Sequence, residues 1–340
     1  MVPKPERESD TTAADRSDSQ AGTSTIPSYS TTRSPADLAR IRAFADVIRD
    51  VIGEHGLITE LSPVEAAEHG CLGTLKSLHR RGRVTFRKYL CEHAAAGGQV
   101  EVLQWLRDNG CPWVEATCMV FAAKNGREAV VRALIKSGAD VNTAWFKGLM
   151  PLHAAAGLGH EVITGLLIKA GADINKVTAD GGTALNMAGQ DGYEVITRLL
   201  IEAGADVDKA DDEGYTPLGT TACNGHEAVA RALIVAGADV NKTTDCRRTP
   251  LTSASSAGHE TVVRVLIEFG ADVNKAADEC VTPLFIAAFQ GQEAVVQALI
   301  EAGADMNKTE NHGATPLYVA SQMGHFEIVK MMQDAQMAGI

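Results

Sequence analysis

The sequence predicts an all-α repeat solenoid: stacked helix-turn-helix units, with β-hairpin fingers in the C-terminal two-thirds and a capping helix at the N-terminal end. Three residue series share one period and carry that prediction. Gly138, Gly171, Gly204, Gly237, Gly270 and Gly303 stand 33 residues apart, each opening a phrase close to Gly-Ala-Asp-Val-Asn. Pro151, Pro217, Pro250, Pro283 and Pro316 keep the same register, with Ala184 in the one gap. Gly-His pairs recur at Gly159, Gly225, Gly258 and Gly324. Self-similarity at such a period marks a linear array, because one unit cannot hide both of its faces and must stack on the next.

The elements follow in chain order. Residues 1–34 are rich in Ser and Thr and almost lack large apolar side chains. They cannot bury enough surface to offset their ordering entropy and read as a disordered tail. Ser34-Pro35 has the form of a helix start, an N-cap followed by Pro at the first helical position. Leu38, Ile41, Phe44, Ala45, Ile48, Val51 and Ile52 then recur at helical spacing, so residues 35–57 are expected to form an amphipathic capping helix. Residues 58–140 hold shorter units, since Gly82, Gly110 and Gly138 are 28 apart. Their inner helices are expected around Glu65-Ala66-Ala67 and His93-Ala94-Ala95, and the shorter period leaves no room for a long finger. Residues 141–340 hold the 33-residue units and a polar-edged C-terminal cap.

One unit can be read residue by residue. Thr216 caps a short inner helix that starts at Pro217. Leu218, Thr221 and Ala222 give it a small packing face, and Gly225 makes the turn. Val229, Leu233 and Ile234 form the buried stripe of an outer helix, which Gly237 ends in the left-handed conformation. An extended finger, 238–248, leads to the next cap.

This pattern resembles the ankyrin repeat, whose hallmarks are Thr-Pro-Leu-His-x-Ala-Ala, Gly-His and Gly-Ala-Asp-Val-Asn, and the resemblance runs from about residue 58 to 340. It implies a stack of helix pairs whose inner helices and fingers form a concave binding face, in a family that generally binds proteins and does no chemistry. Gly110-Cys-Pro-Trp113 resembles a finger-less variant of the repeat. There are departures. Met150 stands where Thr is usual before His153, while Thr216, Thr249, Thr282 and Thr315 lack the His, so the family's Thr–His hydrogen bond is expected to be missing. Asn142, Asn175, Asn241, Asn274 and Asn307 sit where family members can be hydroxylated, but a role in satisfying backbone groups accounts for them.

No catalytic, cofactor-binding or metal-ligating set is expected. His160-Glu161, His226-Glu227 and His259-Glu260 open like a zinc-protease motif, yet Thr164, Ala230 and Val263 stand where the second histidine belongs. Cys91, Cys111 and Cys118 near His93 match no zinc spacing. The seven cysteines include no Cys-x-x-Cys and read as reduced thiols, which points to cytoplasm or nucleus. A net charge of −12 argues against a nucleic-acid partner. No apolar run reaches the ~18 residues of a membrane span. Lys176, Lys209, Lys242, Lys275 and Lys308 also recur, and the aspartates beside them are expected to neutralise the row.

What remains is binding. The leading expectation is a monomeric intracellular scaffold or adaptor that grips protein partners. The alternative is a regulatory or targeting fragment of a larger protein whose catalytic domain lies elsewhere. If repeated residues hold the fold, non-repeating ones carry partner identity. In the fingers these are Trp145, Phe146, Tyr215, Arg247, Arg248, Val281 and His312. On the inner helices they are Met187, Gln190, Asn224, Ile286, Phe289, Gln290 and Gln322. Aromatic and Arg side chains are the usual anchors of an interface. Trp145-Phe146 is the sharpest feature, either a partner contact or packing that smooths the change of period.

Overall fold

The computed structural model describes residues 61–338, so the expected tail (1–34) and capping helix (35–57) lie outside the described residues. Eighteen α-helices run through them in nine inner–outer pairs. The first three pairs are α1 (Pro63–Glu68) with α2 (Leu72–Arg80), α3 (Lys88–Gly97) with α4 (Val100–Asp108), and α5 (Glu115–Lys124) with α6 (Glu128–Lys136). Next come α7 (Pro151–Ala156) with α8 (Glu161–Lys169), α9 (Ala184–Gln190) with α10 (Glu194–Glu202), and α11 (Pro217–Asn224) with α12 (Glu227–Val235). The last are α13 (Pro250–Ala257) with α14 (Glu260–Glu268), α15 (Pro283–Gln290) with α16 (Glu293–Glu301), and α17 (Pro316–Met323) with α18 (Phe326–Ala338). Outer helices start 28 residues apart up to Glu128 and 33 apart from there to Phe326.

Side-chain size sets the packing. Each inner helix lies on the next inner helix, each outer helix from α4 onward lies on the next outer one, and the inner contacts are the more extensive. Alanine makes that approach possible: Ala94, Ala95, Ala122, Ala123, Ala155, Ala156, Ala287 and Ala288 are buried. Leu152, Leu185, Leu218, Leu251 and Leu284 repeat at the second helical position of their units, also buried. Each such leucine contributes ~1.5–3 kcal/mol by leaving water. The outer helices add an Ile or Val and a Leu per unit, as at Ile163 and Leu167 or Val262 and Leu266.

The helix starts keep their caps despite the missing histidines. Thr183, Thr216, Thr249, Thr282 and Thr315 each accept the backbone N–H three residues on, a contact worth ~1 kcal/mol. Met150 is instead buried in the core. There His153 takes over: its Nδ1 accepts the Met150 N–H at 3.1 Å and its Nε2 donates to the Lys176 carbonyl at 3.0 Å.

The Gly-His pair joins two units rather than one. Gly225 ends α11 at φ 78°, a left-handed conformation that satisfies the helix end. The imidazole of the next unit's His259 lies directly over it and donates from Nε2 to the Cys223 carbonyl at 3.1 Å. A Cβ at position 225 would fall 2.4 Å from His259 Nδ1. The same reach recurs from His160 to Lys124 (3.0 Å), His226 to Gln190 (2.9 Å) and His325 to Phe289 (3.1 Å). In the short units Gln99 donates to Glu68 (3.1 Å) and Arg127 to Ala96 (2.7 Å). The donor's chemistry changes while the orphan carbonyl at the end of the preceding inner helix stays its target.

The finger asparagines make a second link. Asn142 donates from Nδ2 to the Gly171 carbonyl (3.0 Å) while its Oδ1 accepts the Asp173 N–H (2.7 Å). Asn175 and Asn241 repeat both bonds to the following unit. The lysine row differs from expectation. The aspartates are spent on backbone N–H groups two residues on, as Asp239 is on Asn241 and Asp272 on Asn274. Lys275 and Lys308 donate instead to the carbonyls of Asn241 and Asn274 in the preceding unit.

The expected β-hairpins require correction, since no strand forms among the described residues. Each finger closes on a tight turn, as in Asp211 N–H to Tyr215 O and Gly214 N–H to Asp211 O. Neighbouring fingers share a single backbone bond: Ala179 to Lys147, Asp212 to Asp180, Asp245 to Glu213, Asp278 to Cys246 and Asn311 to Glu279. One bond per neighbour links the tips without building a strand ladder.

Two buried hydroxyls mark weak points. Thr164 in α8 and Thr197 in α10 are fully buried, and their Oγ1 atoms have no hydrogen-bond partner. Other units carry Val131, Ala230, Val263 or Val296 there. Replacing either threonine by valine keeps the shape and removes a penalty of ~1–3 kcal/mol. Urea unfolding should show Thr164→Val and Thr197→Val each more stable than the parent by ~1 kcal/mol; a loss of stability would mean that the hydroxyls are satisfied in solution.

Candidate interaction surface

The repeat consumes most of each unit and leaves a few positions pointing outward. On the inner helices these lie seven and four residues before the first residue of the outer helix. The first set includes Met187 and Ile286, both half-buried; Met187 packs against Gly157 of the preceding unit. The second includes Gln190, Phe289 and Gln322, all exposed. Phe289 is 37% exposed while Ala287 and Ala288 beside it are fully buried, so its ring stands on the surface of α15 rather than in the core. Asn224 and Gln290 are also exposed.

The fingers carry the rest. Tyr215 is half-buried at its finger base, where its N–H donates to Asp211 Oδ1 (2.8 Å) and its carbonyl accepts Asn186 Nδ2 (3.2 Å). Val281 and Arg248 are half-buried, and Arg247 and His312 are exposed. Arg247 takes a left-handed conformation at φ 55°, where equivalent tips use Gly181, Gly214 and Gly313. Such a conformation costs a non-glycine residue ~1–2 kcal/mol.

Of the two expectations for Trp145 and Phe146, the structure bears on the packing one. Trp145 meets Phe121 of α5 edge-on at 5.3 Å, which ties the first finger to the short-period units. Phe146 meets Trp145 at 6.2 Å and remains 67% exposed. Lys147 sits 5.8 Å above the Phe146 ring. The sequence pattern does not single out Phe121. It stands seven residues before Glu128, as Met187 does before Glu194 and Ile286 before Glu293, and the change of period hides that register. Exposed Leu158, at the turn after α7, is likewise absent from the sequence-predicted set.

Charge divides the molecule. Asp211 and Glu310 are absorbed by their own fingers. Asp211 accepts the N–H groups of Glu213 and Tyr215, and the backbone N–H groups of His312 and Ala314 hold the Glu310 carboxyl below the usual carboxylate range. The carboxylates of Asp180, Asp212, Glu213, Asp245, Asp278 and Glu279 are exposed at the tips. On the outer face charges pair with one another: Arg231 with Glu227 and Glu268 at 3.0 Å each, and Arg264 with Glu260 at 2.8 Å and Glu301 at 3.1 Å. Exposed pairs of this kind are worth ~0–1 kcal/mol each.

Nothing in the buried thiols suggests chemistry. Burial raises the Cys118 thiol to about 12 and pushes Cys91 and Cys111 up as well, so all three stay protonated at neutral pH. Among the described residues no cluster of His, Cys, Asp and Glu could hold a metal ion, and no helix is long and apolar enough to cross a membrane.

Comparison with known proteins agrees with the architecture. The family model for ankyrin repeats, in three copies, matches overlapping windows at 90–178, 121–211, 152–244, 185–277, 231–310 and 277–338. The crystal structure of the human ASB11 ankyrin repeat domain is similar, with a TM-score of 0.57 and 26% sequence identity, covering 62% of this chain and 96% of that one. No curated protein matches the chain.

His153 gives the fold a pH dependence. Burial pushes its imidazole below the ordinary value, opposed by the bond to the Lys176 carbonyl and by Asp180 and Asp173. Protonating Nδ1 would also cost the Met150 N–H its acceptor. The lowered value means that the unfolded chain binds the proton first. The stability is therefore fully present above ~6.5, the unfolded imidazole value, and is lost as pH falls from there through the lower folded value. Unfolding free energy should fall more steeply between about pH 7 and 5 in the parent than in His153→Asn, the residue used at Asn186; parallel profiles would contradict this.

Proposed function

The chain belongs to the ankyrin-repeat family, and on that premise we propose that it is a non-enzymatic scaffold that grips protein partners with its inner helices and fingers. The observation that carries this reading is the division of labour between faces. Side chains that recur from unit to unit are consumed by caps, turns and links to the next unit. Those that do not recur, Phe289, Gln190, Asn224, Tyr215 and Arg247 among them, lie on the inner-helix and finger side. On the outer helices Arg132, Arg198, Arg231 and Arg264 are instead matched with glutamates of their own or the next unit. Aromatic and Arg anchors with amide side chains around them have the composition of a binding surface. The protein works as a monomer in cytoplasm or nucleus, where its thiols stay reduced.

Site-resolved cross-linking tests this. A photoreactive residue placed at Gln190, Asn224 or Gln322 should capture partner proteins from cells that express the full chain. The same group at Glu202 or Glu293 on outer helices should capture little. Capture mainly from the outer-helix positions would place the partner on the other face and reject the reading.

A further inference from the structure

We infer that the fingers at 145–149, 178–182 and 211–215 receive a linear basic segment of a partner protein, entered by an apolar side chain at the first finger. The inference rests on the scaffold reading and adds the chemistry of the occupant. The first finger presents an aromatic step. Trp145 is fixed against Phe121, and Phe146 extends from it with most of its ring in water. An exposed aromatic held by a second, better-anchored one is poised to bury area without first having to be ordered. Lys147 over the Phe146 ring shows within the chain that this spot accepts a cation beside an apolar group.

The next two fingers carry one sign of charge. The second reads Thr178-Ala-Asp-Gly-Gly182 and the third Asp211-Asp-Glu-Gly-Tyr215, with no basic residue in either. Asp211 holds its own finger together and Asp180 accepts the Thr178 hydroxyl, while Asp180, Asp212 and Glu213 are all exposed at the tips. The backbone bonds from Ala179 to Lys147 and from Asp212 to Asp180 keep these three tips side by side. Adjacent tips therefore act within about one Debye length, ~8 Å at physiological salt, where screening is incomplete. The row then changes sign. The fourth finger places Arg247 and Arg248 beside Asp245, and Arg247 is left-handed at the position held by Gly181, Gly214 and Gly313 and, in the next finger, by left-handed Cys280. The two positive charges end the stretch that attracts lysine and arginine, and so fix how far a basic segment can run.

The test is fluorescence anisotropy of the full chain with fluorescein-labelled synthetic peptides. One carries a leucine followed by lysines and arginines, a second replaces the leucine by glycine, and a third replaces the basic residues by glutamate. The basic peptide with leucine should bind best and the glutamate peptide not at all. Phe146→Ala, and separately Asp212→Asn with Glu213→Gln, should each weaken it ~10-fold, equivalent to ~1.4 kcal/mol. Glu161→Gln with Glu202→Gln removes the same charge from the outer face and should change binding less than ~2-fold, as expected of screened surface charge. Arg247→Gly, which also suits the backbone, should tighten binding. Equal losses from the two charge-matched pairs, weaker binding by Arg247→Gly, equal binding of the peptide without leucine, or no binding of the basic peptide would each overturn the inference. If cross-links from Gln190 and Asn224 still capture partners in that event, the scaffold reading stands and only the occupant's chemistry is wrong.

Discussion

The stack depends on one contact made between units: a glycine at the end of an inner helix, and the polar side chain of the next unit lying over it. The helix end leaves carbonyls without partners. The left-handed glycine turns the chain out of their way and has no Cβ to block an incoming side chain. The next unit's imidazole then fills that space and donates to one of those carbonyls, at Lys124, Gln190, Cys223 and Phe289. The imidazole serves the preceding unit, and the glycine serves both its own helix end and that incoming side chain. The finger asparagines obey the same logic, since both ends of the amide are satisfied by the following unit's backbone. Cohesion is therefore a nearest-neighbour property built from polar reach as well as from buried alanine and leucine.

This arrangement explains why binding can vary without loss of the fold. The residues that link units occupy fixed offsets and face inward along the stack. The positions seven and four residues before each outer helix are bounded on one side only, so they accept Met187, Ile286, Gln190 or Phe289 with little consequence for neighbours. The fingertips vary for the same reason, as two turn bonds and one bond to each neighbouring finger constrain the backbone and leave most tip side chains outside the inter-unit links. Their sequence, aromatic, then acidic, then basic, then acidic again at Asp278 and Glu279, is a property of the array that no single unit has.

Much of this is legible in the sequence, and the failures have physical causes. The helix pairs, their caps and the left-handed glycines come from local signals: Thr-Pro at a start, Gly at an end and apolar spacing between. Phe289 can be placed on the surface because Ala287 and Ala288 fill the core beside it. The Gly-His link reads only as a turn because its partner carbonyl lies 36 residues away in sequence. Phe121 escapes notice because the period changes between α6 and α8, and the register must be counted from the outer helix instead. Finger length alone suggests hairpins. Strand pairing needs repeated cross-chain bonds, and a tip tied by one bond to each neighbour does not reach that.

A pair of glycine substitutions in one unit tests the link between units most directly. Gly225 and Gly237 both have left-handed backbones, at φ 78° and 97°. A Cβ at Gly225 meets His259 Nδ1 at 2.4 Å, whereas one at Gly237 has nothing within 4 Å. Alanine at either position incurs the same backbone strain of ~1–2 kcal/mol. Urea unfolding of Gly225→Ala and Gly237→Ala in the full chain should show a larger loss for Gly225, and His259→Ala should reduce the difference by relieving the clash. Equal losses at the two glycines would mean that the imidazole does not lie over the helix end, and that the stack is held by its apolar core alone.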